Sequence, residues 1–156
     1  MERRITEEQV TKSLLDWLEL NGWEVICFDF PQSGTGVSLH PNENIRTGKN
    51  KGALIPDIVA IKNDIVVFFE NKDRFVLSDF FKVQELRQNN DYSCSIEKLL
   101  ASYKYSHIFY GVGLVYSVNA SKRAVENIDK VDFMIFYHED KSVQIFYDPS
   151  KMFNEK

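Results

Sequence analysis

The stretch I-P-D-I-V-A-I-K-N-D-I-V-V-F-F-E-N-K, residues 55–72, constrains this chain more than any other. Two apolar runs, residues 58–61 and 65–69, are rich in β-branched and aromatic side chains. They flank the polar break Lys62-Asn63-Asp64, which predicts a β-hairpin. A two-residue turn at Asn63-Asp64 sets its register: Ile61 opposite Val66, Ala60 opposite Val67, Val59 opposite Phe68, Ile58 opposite Phe69, and hence Asp57 opposite Glu70. Directly opposed residues share a face. Period-two alternation adds Lys72 to the face of Glu70 and points Asn71 the other way. Like charges directly opposed weaken a sheet, so the pattern sets two acids to repel each other beside a lysine. A divalent cation is the simplest agent that reverses the sign of that repulsion, and oxygen ligands favour Mg²⁺ or Mn²⁺. The plain alternative is a hairpin whose rim carries Asp and Glu, with Lys72 a solvated edge residue.

Pro56-Asp57 followed by Glu70-Asn71-Lys72 resembles the signature of the PD-(D/E)XK nuclease superfamily, the fold of many restriction endonucleases and several DNA-repair and junction-resolving nucleases. The resemblance implies an α/β (α+β) domain built on a restriction endonuclease-like mixed sheet flanked by helices. It also implies Mg²⁺-dependent hydrolysis of DNA phosphodiesters, with Mn²⁺ able to substitute. Asp57 and Glu70, helped by the backbone carbonyl of Asn71, would hold the metal. Lys72 would orient or deprotonate the attacking water, or stabilise charge on the phosphate. Many members carry a glutamate on their first helix that reaches the metal. Several carry a glutamine or lysine on the helix after the E-X-K strand.

The rest of the chain supplies candidates for those positions. Residues 5–20 predict a helix, with Thr6 and Gln9 as a capping box, Ile5 and Val10 as a hydrophobic staple, and Asn21-Gly22 as the stop. Val10, Leu14, Trp17 and Leu18 form its apolar stripe. At about 100° per residue, Glu7 falls near the centre of that stripe and Glu8 well to one side. Glu7 is thus the match for the family's helix glutamate, with Glu8 second, although first-turn acids also complement the helix dipole. Residues 23–30 alternate as a strand that places Trp23, Val25, Cys27 and Asp29 on one side. Residues 31–52 predict a long loop, and Arg46, Lys49 and Lys51 concentrate charge there, just before the Pro56-Asp57 corner. With Arg74, they are the candidate phosphate contacts. After Lys72, Ser78 can cap a helix over residues 79–88, on which Gln84 is the candidate for the helix glutamine.

Ile96, Leu99, Leu100 and Tyr103 mark another helix. H-I-F-Y-G-V-G-L-V-Y, residues 107–116, reads as a buried strand. Asn119 starts a short helix containing Val125 and Ile128. Residues 131–137 and 142–147 predict a closing hairpin, and the tail after Pro149 reads as irregular.

At 156 residues the chain predicts one domain. Its apolar runs fall far short of the ~20 residues needed to span a bilayer, which predicts a cytoplasmic protein. Cys27 and Cys94 lack any zinc-ligand spacing. Serine hydrolase, kinase, dinucleotide and histidine-metal motifs are absent.

The formal net charge of -4 argues against strong binding of double-stranded DNA by this chain alone. It favours a second protein subunit. The expected biology is a restriction endonuclease, either a homodimer or the cleavage subunit of a heterodimer whose larger partner reads the sequence. A repair or junction-resolving nuclease is the alternative on the same fold, and a non-catalytic binding module is the alternative of another class.

Overall fold

The computed structural model describes residues 4–30, 36–40, 42 and 54–153. The elements run α1 (Glu7–Leu20), β1 (Glu24–Phe28), β2 (Ile58–Lys62), β3 (Ile65–Lys72), α2 (Leu77–Gln88), α3 (Ser93–Leu99), β4 (His107–Val115), α4 (Val118–Val125), β5 (Phe133–Tyr137) and β6 (Val143–Tyr147). A 3₁₀ turn covers Ile128–Lys130. The strands make one six-stranded sheet in chain order. β2 runs antiparallel to both β1 and β3, β4 and β5 continue parallel to β3, and β6 returns antiparallel. This is a mixed α/β architecture, consistent with a restriction endonuclease-like fold.

The hairpin adopts the register its sequence implies, from Ile61 opposite Val66 to Ile58 opposite Phe69. Asn63 takes the turn in a left-handed conformation, φ +57°, which asparagine tolerates better than most residues. Thr6 caps α1, with both halves of the capping box formed. β1 departs from simple alternation. A bulge between Val25 and Cys27 inserts Ile26, so Trp23 packs on one face of the sheet and Cys27 on the other. α2 begins at Leu77 with Val76 at its N-cap, which puts Ser78 inside the first turn. A hydroxyl there is past the position from which a cap accepts the first free N–H groups, so Ser78 is not the cap.

Parallel neighbours need crossovers, and right-handed crossovers in one direction across a sheet lie on one face. α2, α3 and α4 accordingly cover the same side. Phe80, Val83, Ile96, Ala120 and Ala124 pack there on Val59, Val66, Phe68, Val112 and Phe136. α1 covers the opposite side with Val10, Leu14 and Leu18 against Ile58, Ala60, Val67 and Phe69. The tail is irregular in backbone yet belongs to this second core. Phe153 is buried, with its ring centroid 5.6 Å from Trp17, 5.4 Å from Trp23 and 5.1 Å from Phe133. Within the region expected as a long loop, Leu39 bridges to Leu54 and is fully buried. No helix among the described residues is long and apolar enough to cross a membrane.

Candidate active site

The site grows from the open end of the β2–β3 hairpin. Asp57 continues the sheet one step beyond β2: its N–H donates to the Phe69 carbonyl at 3.0 Å, and its own carbonyl accepts from Asp29 N–H at 2.9 Å. Backbone bonds on both flanks leave the carboxyl little freedom. Its Oδ2 accepts the Asn71 N–H at 2.7 Å, and the residue is 7% exposed. Glu70 and Lys72 share the face of β3 that carries the Val66 and Phe68 side chains, the one covered by α2. Glu7, at the start of α1, sends its carboxylate past the strand end to Lys72, Oε1 to Nζ 3.5 Å, whereas Glu8 is exposed.

Two groups that sequence reasoning missed complete the cluster. Lys82 of α2 approaches Glu70, Nζ to Oε2 3.3 Å. Asp79, one turn earlier, lies 3.7 Å from Lys82 Nζ and 4.0 Å from Lys72 Nζ. Asp79 is buried, and its Oδ2 accepts no hydrogen bond. The signal available in the sequence was the i, i+3 pair of Asp79 and Lys82 beside the buried Phe80 and Val83. That spacing turns both side chains toward the strand carrying Glu70. Gln84 lies about 100° around the helix from Val83, on the flank away from Lys82. The residue of α2 that meets the acids is therefore the lysine.

Asn71 points to the opposite face, as alternation requires, and is fully buried. Its Nδ2 donates to Thr11 Oγ1 on α1 at 3.0 Å. Gly113 stands opposite it on β4, where a Cβ would lie 2.6 Å from Asn71 Oδ1. Arg74 is exposed and pairs with Asp73 at 2.7 Å. Arg46, Lys49 and Lys51 lie outside the described residues.

The electrostatics follow from burial and crowding. Burial, then Glu70 and Glu7, push the Asp57 carboxyl up to about 8, against the opposing pull of the Asn71 N–H and Lys72. Glu70 is raised by burial and by Asp79, opposed by Lys82 and Lys72. Burial acts to lower the Lys82 ammonium, but Glu70 and Asp79 outweigh it and raise it. Among the described residues, the carboxyls of Glu7, Asp57, Glu70 and Asp79 face only the ammonium groups of Lys72 and Lys82. When all are ionised, two negative charges remain uncompensated, the charge of one divalent cation.

The donor set suits a hard cation. Among the described residues, no three His, Cys, Asp or Glu side chains converge as a ready cage. Mg²⁺ is commonly held by one or two carboxylates, with water and substrate phosphate completing its shell. Asp57 and Glu70 are two carboxylates of the kind such an ion takes, and Asp79 Oδ2 is buried without a hydrogen-bond donor. Leu39, Leu54, Ile55, Pro56 and Phe68 line a hollow beside Glu70 and Lys82, which keeps the surroundings apolar.

The chain matches no protein-family model and no curated protein.

Proposed function

We propose that this chain is a Mg²⁺-dependent endonuclease hydrolysing DNA phosphodiester bonds, with Mn²⁺ able to substitute. The observation that carries the reading is the gathering of Asp57, Glu70, Lys72 and Glu7 at one end of the hairpin with a deficit of positive charge. A divalent cation there would supply Lewis-acid polarisation of a phosphoryl oxygen and counter-charge for the phosphate. Asp57, Glu70 and the carbonyl of Asn71 would be its protein ligands.

Lys72 is the group for the proton and charge bookkeeping of the reaction. Its ammonium sits at the strand end within electrostatic reach of both acids, where it can orient the attacking water or stabilise charge developing on the phosphate. Glu7 holds that ammonium from the α1 side and fixes its direction. Lys82 adds a second ammonium to the acid cluster, beside Glu70.

The biology we infer is a restriction endonuclease or its cleavage subunit, acting on double-stranded DNA. The net charge of -4 supports dependence on a second protein subunit, a larger recognition chain or a second copy. Supercoiled plasmid and a four-way junction, each incubated with Mg²⁺ or with EDTA, test the reading. Plasmid cleavage that requires Mg²⁺ supports it. A strong preference for the junction moves the protein to the repair or junction-resolving class, and absence of cation-dependent cleavage of either substrate leaves the non-catalytic binding module.

A further inference from the structure

Among the described residues Lys82 has two ion-pair partners, and only one of them belongs to the metal pair. Its Nζ is 3.3 Å from Glu70 Oε2 and 3.7 Å from Asp79 Oδ1. Glu70 lies on β3, whereas Asp79 lies one turn before Lys82 on the same helix. The Glu70 contact is a hydrogen bond, and the Asp79 contact is a looser ion pair. Asp79 is 5% exposed, and its second oxygen accepts no hydrogen bond, with Lys72 Nζ 4.0 Å away. A buried carboxylate oxygen without a donor is costly unless some state of the protein brings one to it.

We propose that Lys82 is the resident counter-cation of Glu70, that it competes with a divalent cation for that carboxylate, and that Asp79 receives its ammonium when the cation binds. The proposal rests on the reading of Asp57 and Glu70 as cation ligands. A divalent ion on Glu70 repels an ammonium a few ångströms away, so the two cannot share the carboxylate at full strength. The flexible four-carbon stem of a lysine lets Lys82 swing from strand to helix by side-chain rotation alone. Asp79 then holds Lys82, drawing its ammonium off the metal ligand while Lys72 stays with Glu7. Asp79 is a positioning residue in this scheme, and Lys82 sets cation affinity below what the two acids alone would give.

Mn²⁺ titration calorimetry on the full chain without DNA tests the hand-over. Lys82→Met removes the competitor, and the expected result is Mn²⁺ binding about tenfold tighter than wild type. Lys82→Gln is the second neutral variant should the first not fold, and Lys82→Arg, which keeps the charge, should stay near wild-type affinity. Asp79→Asn removes the second berth and should weaken Mn²⁺ binding by about tenfold while Lys82 is present, and by much less in the Lys82→Met background. That non-additivity is the signature, since a merely structural Asp79 would cost the same in both backgrounds. Unchanged or weaker binding in both neutral Lys82 variants overturns the proposal, as does an equal Asp79→Asn penalty in both backgrounds. The expected pattern in a chain that cuts no DNA keeps the hand-over and overturns the nuclease reading. Cation-dependent cleavage with unaltered affinity in the neutral variants does the reverse. A wild type that binds no Mn²⁺ overturns both.

Discussion

Asp57 Oδ2 accepts the backbone N–H of Asn71 at 2.7 Å, so the first acid of the site is fastened to the peptide that separates the second acid from the lysine. The spacing of the E-N-K tripeptide thus acts twice. Its side chains alternate so that Glu70 and Lys72 share a face, and its central amide pins Asp57 to that face. The same residue's side chain ties β3 to Thr11 of α1, the helix that carries Glu7. Strand pairing, helix docking and the acid cluster are therefore one mechanical unit.

Without a divalent cation, stability should fall as pH rises from about 4 to about 8. The folded Asp57 carboxyl is raised to about 8, so between its unfolded and folded values the native state holds the extra proton. The stabilising contribution is complete below the unfolded value and is lost on passing the folded one, with a slope of up to about 1.4 kcal/mol per pH unit for one proton. Urea unfolding in EDTA at several pH values measures this. Asp57→Asn should flatten the dependence, and Mg²⁺ should restore stability at pH 8 in the wild type by binding the folded state.

Gly113→Ala should lower stability by about 1–3 kcal/mol, the usual cost of forcing a methyl into filled space. The new Cβ would lie 2.6 Å from Asn71 Oδ1, and β4 backbone cannot retreat without disturbing its pairing with β3. Denaturant unfolding reads the cost. An unchanged midpoint would mean that Asn71 and Leu14, whose Cδ1 would lie 2.5 Å from the new Cβ, are not held as tightly as the geometry requires.

Phe153→Ala should cost about 3–5 kcal/mol, the range for a buried aromatic truncated in a core. Its ring packs against Trp17, Trp23, Phe69 and Phe133, so tryptophan fluorescence should report the loss directly. A tail that merely trails the domain would give no change.

Duplex DNA binding by the chain alone should be weak and should fade steeply between about 50 and 200 mM salt, because few cations are available for phosphate contacts. Fluorescence anisotropy across a salt series measures this. Tight, salt-resistant binding by the isolated chain would contradict dependence on a second subunit.

Legibility in the sequence followed locality. The hairpin register was readable because Lys62-Asn63-Asp64 fixes the turn and period two then fixes every partner out to Asp57 and Glu70. Glu7 was separable from Glu8 because helical angles need only the positions of Val10, Leu14 and Leu18. Asp79 and Lys82 were not read, since their i, i+3 spacing says only that they share a flank of α2, and which strand that flank meets depends on how α2 sits over β3. Leu39 and Phe153 join cores through long-range packing from irregular backbone, where neither helical nor strand periodicity applies. The bulge at Ile26 likewise leaves no compositional mark, and it moved Cys27 to the face opposite Trp23.

The central claim is that Lys72 acts in cation-dependent cleavage of DNA. The most direct measurement is plasmid nicking with Mg²⁺ by wild type and Lys72→Ala, alongside thermal unfolding of both. Lys72 is partly exposed and meets Glu7 and Asp79 at 3.5 and 4.0 Å, contacts too long to carry much stability. The account predicts that Lys72→Ala remains folded and loses cleavage by at least about a hundredfold, the scale of a lost acid–base or charge-stabilising group. Cleavage near the wild-type rate with Lys72 removed would contradict it.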